Sequence, residues 1–238
     1  MRLVHHGHSC VTLHHGHAAV VVDPGTLSDA GAALRDATAV LVTHQHPDHV
    51  DVAVLTDALR ARPVLEVWAP HDAAAAVRRA LPGDDAGRVH VVVPGDGLTL
   101  DGVEVLVGGG EHAVVHRDVP RVANVTYLLR ADGTTVHHPG DSLDVPGAPG
   151  VLDPLVGARL DVLLAPVAAP WLKLAETIDV VRAVDPRVVV PVHDAVLSAA
   201  GRGLVDRLLG EARTGGTYDY RPLRPGESLD VPGTRRDG

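Results

Sequence analysis

The sequence predicts an α/β (α+β) fold in which two mixed sheets pack together and are flanked by helices. Three observations predict it. Short Val-rich apolar runs recur along the chain and end at turn residues. Each half is strand-rich at first and then alternates strand with helix. No stretch is rich enough in Pro, Gly or Ser to act as a linker, so residues 1–238 are expected to form a single domain with a substantial core. Phe is absent and aromatic residues make up 2%, so that core must be built from Val, Leu and Ala. Strands buried on both faces read as continuous apolar stretches, as these runs do.

Taken in order, residues 10–13 and 18–22 are apolar strands separated by His14-His15-Gly16-His17, a hairpin whose second strand ends at Asp23-Pro24-Gly25. Residues 39–42 form a further buried strand, and residues 50–61 carry apolar side chains near helical spacing. A strand over 64–68 and an Ala-rich helix over 72–81 follow, the helix stopped by Pro82-Gly83. Residues 89–93, 98–100 and 103–107 read as three strands, ended by Gly108-Gly109-Gly110. Residues 125–130 and 134–138 form a hairpin around Asp132-Gly133. A strand over 161–165, a helix over 175–184 ended by Asp185-Pro186, a strand over 188–192 and a helix over 203–212 complete the second half. After Arg221 one short strand is expected, then a frayed, charged end.

The net charge of −9 and the lack of a basic run argue against nucleic acid as the partner, although two bound divalent cations would reverse the field locally. A single cysteine, Cys10, excludes an intrachain disulfide and fits a reducing compartment. No apolar segment resembles a signal-peptide core or reaches the roughly 18 residues of a membrane span. A soluble cytoplasmic protein is the expectation, with no membrane partner; a homo-oligomer is compatible with it.

The chemistry concentrates in histidine and aspartate. Of 16 histidines, His44 and His46 stand two apart directly after an apolar strand, which places both rings on one side of an extended segment. Asp48 and His49 follow at the start of the next helix. Pro47 favours the sharp turn that lets the four side chains converge. His112, Asp141 and His193 each follow the end of a strand or the glycine run, and ligands drawn from loops at one edge of a β core are a usual way to build a site. Seven candidates exceed the needs of one tetrahedral ion and suit two ions sharing a bridging carboxylate. Imidazole and carboxylate together suit zinc, manganese or iron.

His44-x-His46-x-Asp48-His49 resembles the signature of the metallo-β-lactamase fold superfamily. Asp23 in Val22-Asp23-Pro24-Gly25, Gly140-Asp141-Ser142 and Pro191-Val192-His193 match its other landmarks in order. From Gly7-His8-Ser9-Cys10 onward, the chain is most similar to the small metal-dependent hydrolases related to L-ascorbate-6-phosphate lactonase. The resemblance implies a four-layer αββα sandwich and two divalent metal ions, zinc first and manganese or iron as alternatives. It implies that His44, His46 and His112 hold one ion, Asp48, His49 and His193 the other, and Asp141 bridges them. Asp48 would also have a catalytic part, and Asp23 would orient a ligand or simply form its turn. His112 lies in Glu111-His112-Ala113 rather than the family's usual His-Thr-x-Gly, so His116 is the alternative ligand.

Other residues are placed more loosely. His5, His6, His14, His15 and His17 are expected at the surface or in turns, and His71, His90, His137 and His138 as structural or exposed. His8, in Gly7-His8-Ser9, is a candidate substrate-binding residue. Trp171 and Lys173, with Glu176, can shape a substrate pocket in which Lys173 binds an anion, or can equally be an exposed loop and a helix start. Arg117 and Arg121 are similar candidates. Cys10 reads as a small core residue. The expected function is hydrolysis of a small ester, lactone or phosphoester metabolite by a hydroxide bridging the two ions. The alternatives are a phosphodiesterase or nuclease with the same site, or a non-catalytic metal-binding protein.

Overall fold

The Val-rich runs do form strands, most of them short. A computed structural model of the protein describes residues 1–81, 83–144, 159–210 and 217–231. The first half gives β1 (Arg2–Gly7), β2 (Cys10–His15), β3 (Ala18–Val22), β4 (Ala39–Leu41), β5 (Glu66–Ala69) and β6 (Val89–Val91), interleaved with α1 (Ala30–Leu34), α2 (Val52–Ala61) and α3 (His71–Ala80). The second half gives β7 (Gly97–Leu100), β8 (Val103–Glu111), β9 (Ala123–Ala131), β10 (Thr134–His138), β11 (Val162–Pro166), α4 (Leu174–Val184), β12 (Val188–Val192), α5 (Ala199–Gly210) and β13 (Asp219–Tyr220). A last strand, β14 (Ser228–Asp230), returns to pair with β1.

The strands form two seven-stranded sheets, ordered β14-β1-β2-β3-β4-β5-β6 and β13-β12-β11-β10-β9-β8-β7. Both sheets change from antiparallel to parallel pairing part-way across: at β3 in the first, at β10 in the second. The two halves therefore repeat one plan, as the sequence pattern predicts. Leu3, Leu13, Val20, Leu41, Val105 and Leu164 are among the side chains that fill the space between the sheets. The alternate residues face outward: Val40 and Val67 lie under α2 and α3, and Leu163 and Val189 beside Val181 of α4. Burying such a side chain contributes about 1.5–3 kcal/mol each, which makes a core without Phe sufficient. Tyr127 of β9 crosses the sandwich, its hydroxyl donating to the Val42 carbonyl at 2.9 Å.

Several elements differ from expectation. β1 and α1 were not anticipated: β1 buries Leu3, His5 and Gly7 on alternate positions, so its inward face lacks a run of apolar residues. Helix α2 starts at Val52, capped by Asp51, whose carboxylate accepts the N–H groups of Ala53 and Val54. Val64 is 82% exposed and lies outside β5. The three glycines do not end β8, because β9 pairs with it as far as Glu111↔Ala123. Gly109 and Gly110 have φ of +74° and +152°, and a Cβ on Gly109 would lie 2.9 Å from the Thr126 methyl. Helix α5 begins four residues before its expected start, and its expected end at 211–212 lies outside the described residues, as does the charged tail at 232–238. Among the described residues no helix is long and apolar enough to cross a membrane.

Candidate metal centre

All the landmark residues follow strands at one edge of the sandwich. His44, His46, Asp48 and His49 leave β4 in a tight turn, where the His49 and Val50 N–H groups both donate to the His46 carbonyl at 3.0 Å. The loop after β3 presses on that turn: Thr26 N–H donates to Pro47 O, and a Cβ on Gly25 would run into the Asp48 carbonyl. His112 follows β8, Asp141 follows β10, and His193 follows β12. Asp141 is reached through Gly140 at φ +59°, where a Cβ would lie 2.7 Å from Thr43. His8, Asp23 and His193 are non-glycine residues with φ between +52° and +58°, a conformation held only where neighbours fix it.

The side chains gather in two adjoining sets, His44, His46, His112 and Asp141 in one and His8, Asp48, His49 and His193 in the other, with donor atoms in each set within 4.8 Å of one another. Asp141 faces both. Its Oδ2 lies 3.2 Å from His112 Nε2 and accepts the Trp171 indole N–H at 3.0 Å. Its Oδ1 lies 2.9 Å from His49 Nε2 and 3.2 Å from His193 Nε2. Four imidazoles have Nδ1 engaged by an oxygen: His44 by Thr43 Oγ1, His49 by Asp23 Oδ2, His112 by Ala113 O and His193 by Ala168 O. With the proton fixed on Nδ1, the Nε2 lone pair points into the cluster, which is the arrangement a metal ligand requires. His49 Nε2, His193 Nε2 and Asp141 Oδ1 are buried without a hydrogen-bond partner. Converging orphaned donors of this kind fit a divalent cation.

His8 is the exception. Its Nδ1 accepts the Ala195 N–H at 3.3 Å, so the neutral ring carries its proton on Nε2 and donates to Asp48 Oδ2 at 3.2 Å. The ring is buried and stands 4.0 Å from that of His193.

Burial opposes a charge on His193, but the Asp141 and Asp48 carboxylates outweigh it and raise its pKa to about 9. His49 is likewise raised, against its burial, by Asp141 and Asp23. Burial acts against the Asp141 and Asp48 carboxylates too, yet the histidines around them hold both below the usual carboxylate range. His44 and His46 are lowered, chiefly by burial. A cation entering the second set must displace the Nε2 protons of His49 and His193. Because their folded pKa values are raised, those protons are held at neutral pH and released as pH rises. Metal affinity is therefore expected to increase from pH 6 toward pH 9, with proton release on binding. Calorimetric zinc titrations of the metal-free protein in two buffers of different ionisation enthalpy measure this; an affinity that does not change with pH would contradict it.

Every residue of the expected ligand set is brought together. His112, buried, joins the first set, whereas His116 is exposed and paired with Asp118. Asp23 is buried and holds Thr43 and His49. Trp171 lies between the sets, its ring 5.9 Å from His112 and 6.4 Å from His193. Lys173 is exposed at the start of α4, where its backbone N–H donates to Glu176. One N-terminal histidine requires correction: His5 is buried, not superficial, because β1 lies inside the first sheet between β14 and β2. Thr43 and Asn124 were not anticipated. Asn124 accepts the Asp141 N–H at 3.0 Å and donates to Pro139 O at 3.0 Å, fixing the Asp141 loop. No motif marks an asparagine that acts from the neighbouring strand.

The sequence matches the model of the beta-lactamase superfamily domain over residues 2–193. It is similar to Protein Rv0786c of Mycobacterium tuberculosis, 38% identical over 219 residues covering 90% of this chain and 93% of that protein. It is also similar to the UPF0173 metal-dependent hydrolase TK0141 of Thermococcus kodakarensis, 27% identical over 220 residues covering 89% and 91%. Among solved structures, Igni18, a metallo hydrolase from Ignicoccus hospitalis, superposes with a TM-score of 0.69 at 18% identity over 96% of this chain and 97% of its own, a likeness of fold. The αββα sandwich is thus that of the metal-dependent hydrolases with a metallo-β-lactamase fold. The chain belongs to the beta-lactamase superfamily.

Proposed function

We propose that this chain, working as one domain, hydrolyses a small ester, lactone or phosphoester metabolite with two divalent ions, zinc first and manganese or iron as alternatives. His44, His46 and His112 would hold one ion and Asp48, His49 and His193 the other, with Asp141 facing both sets. The observation that carries this reading is the placement of the two Asp141 oxygens, one toward each set, among buried nitrogens with no other partner. Bound there, the ions supply Lewis acidity and a hydroxide nucleophile near neutral pH. The chain's own groups supply order. Asp23 keeps the His49 proton on Nδ1, Trp171 and Asn124 fix Asp141, and His8 holds Asp48. Asp48, whose side chain is 28% exposed against 5% for Asp141, faces the opening and is placed to orient the attacking water.

The test is elemental analysis of protein purified without chelators, followed by a panel of esters, lactones and phosphodiesters with the metal retained. About two ions per chain and turnover of an ester or lactone are expected. Full metal with no turnover across the panel favours a metal-binding protein, and a preference for oligonucleotides favours the phosphodiesterase reading.

His8 separates positioning from ligation. As a donor to Asp48 it is expected to leave metal content intact when replaced. His8→Leu should lower kcat by roughly tenfold to a hundredfold, and His8→Gln, which restores an N–H, should recover part of it. Loss of an ion from both variants would make His8 a ligand instead.

A further inference from the structure

Beside the first ligand set the chain makes a small recess of about 40 Å³, walled by His46, His112 and Arg121 and by Val115, Val119, Pro120 and Val122. Its outer wall is the excursion between β8 and β9, anchored at its ends by His112 N–H to Val122 O (2.9 Å) and by Ala113 N–H to Asp141 O (2.8 Å). The wall is thus tied to Asp141 itself. Val114, Val115 and Val119 on this excursion are 57%, 39% and 48% exposed, an uncommon expense of apolar surface at the mouth of a polar site. The cations here are already engaged. Arg121 donates through Nε to the His112 carbonyl and through Nη1 to Glu111, and Arg117 pairs with Asp118. A phosphate entering this recess would meet valine, proline and an Arg121 guanidinium already shared between Glu111 and the His112 carbonyl, whereas a short alkyl group would leave water for matching walls.

We infer that this recess is a substrate subsite for a neutral alkyl or acyl chain, so that the substrate is a hydrophobic ester or lactone and not a phosphorylated one. The inference rests on the dinuclear hydrolase reading and narrows its substrate class. The excursion seats the chain against His46 and His112, which places the adjoining carbonyl at the ligand sets.

The test uses zinc-reconstituted protein and a series of straight-chain hydroxamic acids, whose head group chelates metal while the tail varies from acetyl to butanoyl. Affinity by calorimetry is expected to rise about threefold to fourfold per methylene, near tenfold across the series. Val119→Asp and Val115→Asp, both at partly exposed positions, should bring the butanoyl-to-acetyl ratio toward one. A flat series, no binding by any member, or an unchanged ratio in both variants overturns the subsite. Ester turnover is measured on the same preparation. Turnover with a flat series overturns the subsite alone, and a graded series without turnover of any ester or lactone overturns the hydrolase reading alone.

Discussion

Replacing Asp141 by alanine is expected to give a folded chain that carries less than one metal ion and has lost more than a hundredfold in hydrolysis. The carboxylate stands between His112, His49 and His193, at 2.9–3.2 Å from each Nε2. Its removal takes a carboxylate from the first set and from beside the second, and leaves the raised His49 and His193 without their counter-charge, so their protons should be lost more easily. Two opposing effects act on stability. The metal-free variant loses charge-assisted contacts, while the backbone N–H of residue 141 keeps its bond to Asn124. Elemental analysis, turnover and a thermal melt on one preparation read all three quantities. A variant with two ions per chain and normal turnover would remove the basis for a shared carboxylate.

Asp23→Ala should be the most destabilising single change at the site. The Asp23 carboxylate, fully buried, accepts from Thr43 N–H (2.7 Å), the Thr43 hydroxyl (2.7 Å) and His49 Nδ1 (2.6 Å). Alanine leaves those donors without an acceptor, at about 3 kcal/mol in all, or roughly 10 °C in Tm for a chain of this size. Asp23→Asn separates packing from ligation. The amide oxygen can still serve Thr43, but its NH2 then faces His49 Nδ1 and favours the tautomer with the proton on Nε2, the atom that must bind metal. A smaller loss of Tm with a metal affinity down tenfold to a hundredfold is expected. Equal metal affinity in Asp23→Asn and the wild type would show that Asp23 is only a turn former.

The contrast between Asp23 and His8 shows what was legible. The metal set could be read because four of its members lie within six residues and the other three follow recognisable strand ends. Asp23 was legible only through the family resemblance, which left a turn role open beside an orienting one. His8 was noticed, but its contact with Asp48 was not foreseen, since it depends on the Ala195 N–H, 187 residues away, fixing its tautomer. Strand β1 was overlooked for a related reason: its inward residues include His5 and Gly7, which carry no apolar signal. The glycine run misled in the opposite sense. Glycines punctuate most strands, but β9 supplies partners along all of β8 and overrides that preference. Asn124 gave no signal, because its role is to connect two strands and not to touch the centre.

The Tyr127 hydroxyl joins the second sheet to the Val42 carbonyl, one residue before Thr43. The ligand sets lie just beyond that bond, and each draws on both sheets: His44, His46, Asp48 and His49 come from the first, His112, Asp141 and His193 from the second. An ion in either set would therefore be a rivet through the sandwich, next to a hinge pin that the chain supplies itself. Sliding of one sheet over the other would open the centre, and loading the centre would oppose sliding. Metal concentration would thereby set the rigidity of this edge of the molecule, and chelation is expected to loosen it.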